Sequence, residues 1–213
     1  MELVLDWDGT VTAGDTLHAA IEEFGDMDVF RAMEDEISRR LTLQEVIAVE
    51  METITAPLDD VIAFLLETVS LRAGFGEIVA RSEPLVVSMG FHELIAPLLD
   101  RDGIAVRVVA NRLDPQPAGW KALFRPQTVC TVCGEPCKRS DVAGLGGFVY
   151  VGDGFSDRCV AQAANRVFAR DGLAAFLVRE GVAFEPFDDF YDVASALDGA
   201  AVVPPRRSRG RKT

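Results

Sequence analysis

Three short apolar runs in this chain stop abruptly at clusters of carboxylate, hydroxyl and glycine residues, and that pattern constrains its fold most. Leu3-Val4-Leu5 gives way to Asp6-Trp7-Asp8-Gly9-Thr10, and Leu85-Val86-Val87 to Ser88-Met89-Gly90. Phe148-Val149-Tyr150-Val151 gives way to Gly152-Asp153-Gly154-Phe155-Ser156-Asp157. Apolar runs without polar alternation read as strands covered on both faces, the signature of a parallel sheet. Open parallel sheets bind ligands outside the carboxyl ends of their strands, so the three clusters are expected to meet in one crevice. A solvated, helix-capping turn accounts for any one of these loops; it does not account for all three.

From about residue 15 to residue 80 the period changes to that of helices. Leu17, Ile21 and Phe24 share a face, as do Val29, Met33 and Ile37. Thr42-Leu43-Gln44-Glu45 is a capping box, and Pro57 with Asp59 opens a further helix. About four helices and no strand are expected here, a helical insert after the first strand. Beyond it, a helix over 91–99, a strand over 105–109, a helix over 158–165, a strand over 166–169 and a helix over 171–178 alternate. Residues 112–137 read as irregular. The fold class is therefore α/β, a Rossmann-like parallel sheet with helices on both faces. The expected organisation is a core over 1–13 and 81–203, a small helical cap over 14–80, and a disordered basic tail over 204–213.

The chain has 213 residues, enough to bury a core without disulfide staples. Five of its 21 basic residues crowd the last eight positions, leaving sixteen against 34 acidic residues, a body of net charge −18. That charge repels nucleic acid and anionic membrane. Neither a membrane-spanning run nor a signal peptide is visible, so a cytoplasmic protein, monomer or homodimer, is expected. Cys130, Cys133, Cys137 and Cys159 read as reduced thiols or a metal site, not a disulfide framework.

Carboxylates converging on one crevice repel each other unless a cation sits among them. Oxygen ligands with no histidine nearby favour Mg²⁺. Carboxylates around Mg²⁺, with hydroxyl and amide donors beside them, suit a phosphoryl group.

Asp6-Trp7-Asp8-Gly9-Thr10, Ser88 after two apolar residues, a lysine before the last core strand, and Gly152-Asp153-Gly154-Phe155-Ser156-Asp157 together resemble the four signature motifs of the haloacid dehalogenase superfamily of phosphatases. The resemblance runs from residue 3 to about residue 178. The insert after the first motif resembles the phosphoserine-phosphatase-like branch. Cys133-Gly134-Glu135-Pro136-Cys137-Lys138 and Val167-Phe168-Ala169-Arg170 are most similar to the methionine-salvage group that acts on a methylthiopentenyl phosphate, and also resemble phosphatases of phosphoethanolamine and phosphocholine.

The resemblance implies a Mg²⁺-dependent phosphomonoesterase acting on a small phosphorylated metabolite through an aspartyl-phosphate. Asp6 would be the nucleophile and Asp8 the general acid, then base. Asp6, the Asp8 carbonyl and Asp153 would ligate Mg²⁺, and Asp157 would hold a metal-bound water or a neighbouring base. Ser88, Met89 and Gly90 would hold phosphate oxygens, and Thr10 would orient Asp8 or its loop. Lys138, 15 residues before Asp153, fits the third-motif lysine better than Lys121 does.

Asp15 either contacts substrate or only caps the first insert helix. An ungapped reading puts Glu50 where phosphoserine phosphatases keep a carboxylate-binding arginine, which disfavours phosphoserine. Cys130, Cys133 and Cys137, with Cys159 or His92 as a fourth ligand, either bind structural zinc or brace the lysine loop as small thiols. A phosphotransferase or mutase is the alternative enzyme. A phospho-accepting receiver domain is the alternative of another class, but receivers carry no insert after the first strand.

Overall fold

A computed structural model describes residues 1–37 and 39–199; the basic tail expected over 204–213 lies outside them. The first strand, β1 (Glu2–Leu5), occupies the middle of a seven-stranded sheet. Beside it lie β2 (Leu85–Phe91) and β5 (Phe148–Gly152), then β3 (Arg107–Asp114) and β6 (Arg166–Ala169) further out. The edges are β4 (Lys121–Leu123) and β7 (Glu185–Pro186), giving the order β4-β3-β2-β1-β5-β6-β7. All pairs are parallel except β3 with β4. Leu5 is in register with Val86 on one side and Val151 on the other. Asp6 and Asp153, just past β1 and β5, and Ser88, two residues beyond Val86 within β2, therefore lie side by side at the same end of the sheet.

Strand alternation sends Leu3 and Leu5 to one face and Val4 to the other. On the first face they meet α6 (His92–Arg101), α5 (Phe75–Ser82) and α9 (Phe190–Asp198). On the second, α7 (Arg158–Ala161) and α8 (Asp171–Glu180) cover Tyr150 and Val167. Each fully buried Val, Leu or Phe in these layers contributes about 1.5–3 kcal/mol.

The helical insert comprises α1 (Thr16–Phe24), α2 (Met27–Glu34), α3 (Leu43–Met51) and α4 (Leu58–Thr68). Its two ends adjoin: the Ala13 amide donates to the Ser70 carbonyl at 2.9 Å, and the Arg72 amide to the Val11 carbonyl at 2.8 Å. The insert also rests on Trp120, whose Nε1 donates to the Ala56 carbonyl at 3.0 Å and whose amide donates to the Ile54 carbonyl at 3.0 Å.

The expected α/β class and the Thr42–Glu45 capping box both match the structure. Several expectations need correcting. Four helices lie inside the Ala13–Ser70 closure among the described residues; α5, which starts from Gly74 at φ +80° with no capping side chain to announce it, follows that closure and packs on the sheet. Strand β2 does not stop at Ser88 but runs through Met89 and Gly90 to Phe91, with a register shift on the way. Residues 112–137 are not wholly irregular, since β3 extends to Asp114 and turns back into β4. Helix α7 ends at Ala161, short of residue 165, while α9 and the two-residue β7 were unforeseen.

Candidate active site

The loop after β1 is built so that its two aspartates can sit in a crowded space. The Asp6 amide donates to the Val151 carbonyl at 2.9 Å, continuing the sheet by one residue. Trp7 turns into the core against Phe75, with ring centroids 6.5 Å apart. Gly9 takes φ +73°, and a Cβ there would lie 2.3 Å from an Asp153 oxygen, so only glycine fits. Asp8 Oδ1 accepts from the Thr16 amide at 2.9 Å and also from the Thr16 hydroxyl. Thr10 does not reach Asp8; its hydroxyl donates to Asp153 Oδ1 at 2.7 Å. Arg72 fastens the loop from outside, donating to the carbonyls of Thr10 at 2.8 Å and Gly9 at 2.7 Å.

In the second half of β2, Ser88 Oγ accepts from the Gly90 amide at 2.8 Å, which leaves the hydroxyl proton free to donate elsewhere. A Cβ on Gly90 would lie 3.1 Å from both Asp8 Oδ2 and Ser88 Oγ, so this strand end touches the first loop directly. Asn111 donates to the Met89 carbonyl at 2.7 Å, and Arg125 to the Ser88 carbonyl at 3.0 Å. Arg125 also grips Asp141 through two nitrogens, at 3.1 and 2.7 Å. Asp141 closes the short 3₁₀ turn Lys138–Ser140, so Arg125 ties that turn to β2.

Lys138, 1% exposed, donates to Asp6 and to Asp157, the latter at 2.7 Å; Lys121 is an exposed residue of β4. Asp157 Oδ1 also accepts from the Tyr150 hydroxyl at 2.6 Å, and Oδ2 from the amides of Asp153 and Gly154 at 2.9 Å each. With both oxygens so occupied, Asp157 holds its neighbours in place. Carboxylate oxygens of Asp6, Asp153 and Asp157 lie within 4.8 Å of one another.

Burial and the Asp157 charge push the Asp6 carboxyl well above the usual carboxylate range, with Lys138 opposing them. Burial, then Asp157, pushes Asp153 up to about 6. Burial, then Asp15, pushes Asp8 up to about 7 against the pull of the Thr16 hydrogen bonds. A crowd of buried oxygen donors with one lysine among them is short of positive charge, and such a donor set fits a hard divalent cation.

Opposite these loops the insert contributes Glu50 from α3, Glu34 from α2 and Asp15, which share a crevice of about 230 Å³ with Asp6, Asp8 and Asp153. Asp15 caps α1, accepting from the His18 amide at 2.9 Å, and it lines the crevice as well. Glu50 is 4% exposed and its Oε1 has no partner. Burial, then Glu34 and Asp15, raises its carboxyl to about 8. Glu50 therefore binds its proton more tightly folded than unfolded, and its contribution to stability falls as pH rises from about 4.5 to about 8. Glu50→Gln is expected to melt higher than the parent at pH 8, with the gap closing towards pH 5. Thermal melts by circular dichroism check this; a gap that does not widen with pH contradicts it.

The sulfurs of Cys130, Cys133, Cys137 and Cys159 all lie within 4.8 Å of one another, and His92 stands outside that group. Thr16, Arg72, Arg125 and Tyr150 were not foreseen, because each meets its partner only once a loop has folded back on its strand or helix. Only the position of Thr16 at the head of α1 offered a signal.

A family model for haloacid dehalogenase-like hydrolases matches residues 3–162. The chain is 30% identical over 213 residues to a 2-hydroxy-3-keto-5-methylthiopentenyl-1-phosphate phosphatase of Geobacillus kaustophilus, covering 94% of this chain and 97% of that one. It is 28% identical to the Bacillus cereus phosphatase of the same name, covering 92% and 95%. Among solved structures, a phosphoserine phosphatase from T. onnurineus superposes with a TM-score of 0.68 at 14% identity, covering 94% and 95%. A phospho-aspartyl intermediate analogue of phosphoserine phosphatase gives 0.65 at 16% identity, covering 93% and 98%. With the motif loops converging as described, the chain belongs to the haloacid dehalogenase-like hydrolases, as a phosphoric monoester hydrolase of that family.

Proposed function

We propose that this protein is a Mg²⁺-dependent phosphatase of a small metabolite, working through an aspartyl-phosphate on Asp6. The observation that carries this reading is the placing of Asp6 and Asp8 on one crevice, with buried Lys138 against Asp6. Asp6 attacks phosphorus as Asp8 gives its proton to the departing alkoxide; an acid poised near pH 7 suits that task. Water then attacks the same phosphorus, the bond to Asp6 breaks, and Asp8 recovers a proton. Ser88, with its free hydroxyl proton, and the amides of Met89 and Gly90 hold the phosphate oxygens. Lys138 pulls against the burial and the Asp157 charge that favour a protonated Asp6, a bound cation would complete that ionisation, and Lys138 offsets charge on the phosphoryl group. Mg²⁺ bound through Asp6, the Asp8 carbonyl and Asp153 supplies the positive charge that these crowded oxygens lack. The helical insert acts as the cap, and Asp157 positions Lys138 and the Asp153 loop.

Glu50, Glu34 and Asp15 set the substrate class. The acidic wall formed with Glu34 and Asp15 disfavours a carboxylate-bearing substrate, while Glu50, which holds its proton up to about pH 8, can donate to a carbonyl, exchange hydrogen bonds with a hydroxyl, or give up that proton to pair with an ammonium head. The relatives named for a methylthiopentenyl phosphate fit that class, since such a head carries no carboxylate. The free cysteines suit a reducing, cytoplasmic setting. Among the described residues no helix is long and apolar enough to cross a membrane.

The test is phosphate release from a panel of phosphomonoesters, with Mg²⁺, with excess chelator, and with an acceptor alcohol. Activity is expected only with Mg²⁺, with inorganic phosphate as product, and with phosphoethanolamine preferred to phosphoserine. Ca²⁺ should inhibit, because its looser coordination disturbs in-line attack. Full activity in chelator overturns the metal assignment; transfer to the alcohol as the main product makes the enzyme a phosphotransferase. A preference for phosphoserine, or a phosphoethanolamine-to-phosphoserine ratio unmoved by Glu50→Arg, removes Glu50 from the specificity argument.

A further inference from the structure

Apart from Ala122 and Phe124, which pack half-buried at its start against the core of the insert, the segment that carries Lys138 is not held by apolar burial. Between Trp120 and Val142 no hydrophobic side chain is buried, and Lys138 is the one buried residue of that stretch. Val129 and Val132 stand 64% and 58% exposed. Regular structure there amounts to β4 and the 3₁₀ turn. A lysine whose position must be fixed to within a fraction of an ångström is thus mounted on a stretch with almost no core of its own.

The same segment brings four sulfurs together. Cys130 and Cys133 flank a tight turn in which the Gly134 amide donates to the Cys130 carbonyl at 2.8 Å and the Cys130 amide to the Glu135 carbonyl at 3.0 Å. Gly134 takes φ +78°, and the Val132 amide points at Cys130 Sγ from 3.4 Å, the kind of contact that stabilises a thiolate. Cys137 immediately precedes Lys138, and Cys159 follows Asp157 by two residues at the head of α7. The Cys130 and Cys159 sulfurs are 3.7 Å apart. A tetrahedral zinc with bonds of about 2.3 Å sets its sulfurs about 3.8 Å apart, whereas a disulfide brings them to about 2.05 Å.

We propose that Cys130, Cys133, Cys137 and Cys159 form a structural zinc site that clamps the Lys138 turn to the Asp157 loop. Zinc displaces four thiol protons to solvent and closes all four positions with protein sulfur, leaving none for substrate. Its place is structural: one ligand flanks each partner of the Lys138–Asp157 ion pair, so the metal fixes both ends of that contact. The site stands on its own geometry and does not depend on the proposed reaction.

The test uses the full chain, expressed with zinc, purified under reducing conditions without chelator, and analysed for metal by mass spectrometry. About one zinc per chain is expected, released in step with thiol modification by an organomercurial. The Cys130→Ser/Cys133→Ser variant should lose it, while Asp153→Asn should keep it. Cobalt taken up in its place should show thiolate charge-transfer absorption, a readout that needs no variant to fold. Stripped protein should be cut by protease within residues 121–141 faster than loaded protein. Wild-type protein that neither retains zinc nor takes it up stoichiometrically from solution overturns the proposal. So does zinc that persists in the cysteine variant and vanishes from Asp153→Asn, or cobalt uptake without thiolate bands.

Discussion

Asp6→Asn is expected to reduce turnover of a generic aryl phosphate to below about one per cent of the parent while leaving the melting temperature unchanged or higher. The catalytic loss follows from chemistry: a neutral amide in that position cannot form the acyl phosphate. The retained stability follows from electrostatics. Asp6 is buried among carboxylates that push its pKa up, burial first and Asp157 next. Replacing it by an isosteric neutral group relieves that repulsion in metal-free protein, and Lys138 keeps Asp157 as its partner at 2.7 Å. Activity well above one per cent, confirmed free of contaminating phosphatase, removes Asp6 as nucleophile. A large drop in melting temperature shows that its main role is to hold Lys138.

Lys138→Ala is expected to do the reverse to stability, costing about 3–5 kcal/mol as well as the activity, because it leaves two buried carboxylates without a cation. For a chain of this size that corresponds to a fall in melting temperature of roughly 10 °C. Lys138 is 1% exposed and sits between Asp6 and Asp157, which are themselves buried, so water cannot take over its role. Lys138→Arg should not rescue it, since a planar guanidinium does not fit the space of an ammonium enclosed on all sides. Urea denaturation in chelator measures the cost. A loss under about 1 kcal/mol implies that the carboxylates simply take up protons, and that the ion pair adds little.

The three polar strand ends were legible because a fully covered parallel strand has no polar residue to spare, so Asp6, Ser88 and Asp153 announce themselves by interrupting it. Where the local signal was weak, reading failed. Gly74 starts α5 without a capping side chain, and β7 is two residues held by its neighbour β6. Thr10 was read as orienting Asp8 or its loop; the turn around Trp7 carries its hydroxyl to Asp153, and Thr16 is the residue that binds Asp8. Nothing in one sequence pairs Arg125 with Asp141 or Tyr150 with Asp157, since such partners are set by how the loops after β4 and β5 fold back and not by a periodic spacing. Glu50 could be placed on α3 but not oriented; which face of that helix looks inward depends on how the insert settles on Trp120.

The adjoining ends of the insert, where Ala13 meets Ser70 and Val11 meets Arg72, give the chain an interchangeable module. A segment that leaves and rejoins the sheet at one point adds little closure entropy whatever its length, because that cost grows only logarithmically. Selectivity for the leaving group can therefore be redrawn by exchanging this loop of helices while the phosphate-handling strand ends keep their register. Three moorings limit the freedom. Any replacement must offer the carbonyls that Trp120 now receives from Ile54 and Ala56, an arginine to fasten Gly9 and Thr10, and the amide and hydroxyl that Thr16 gives to Asp8. A graft that keeps those contacts inherits the chemistry and changes only what is admitted to it.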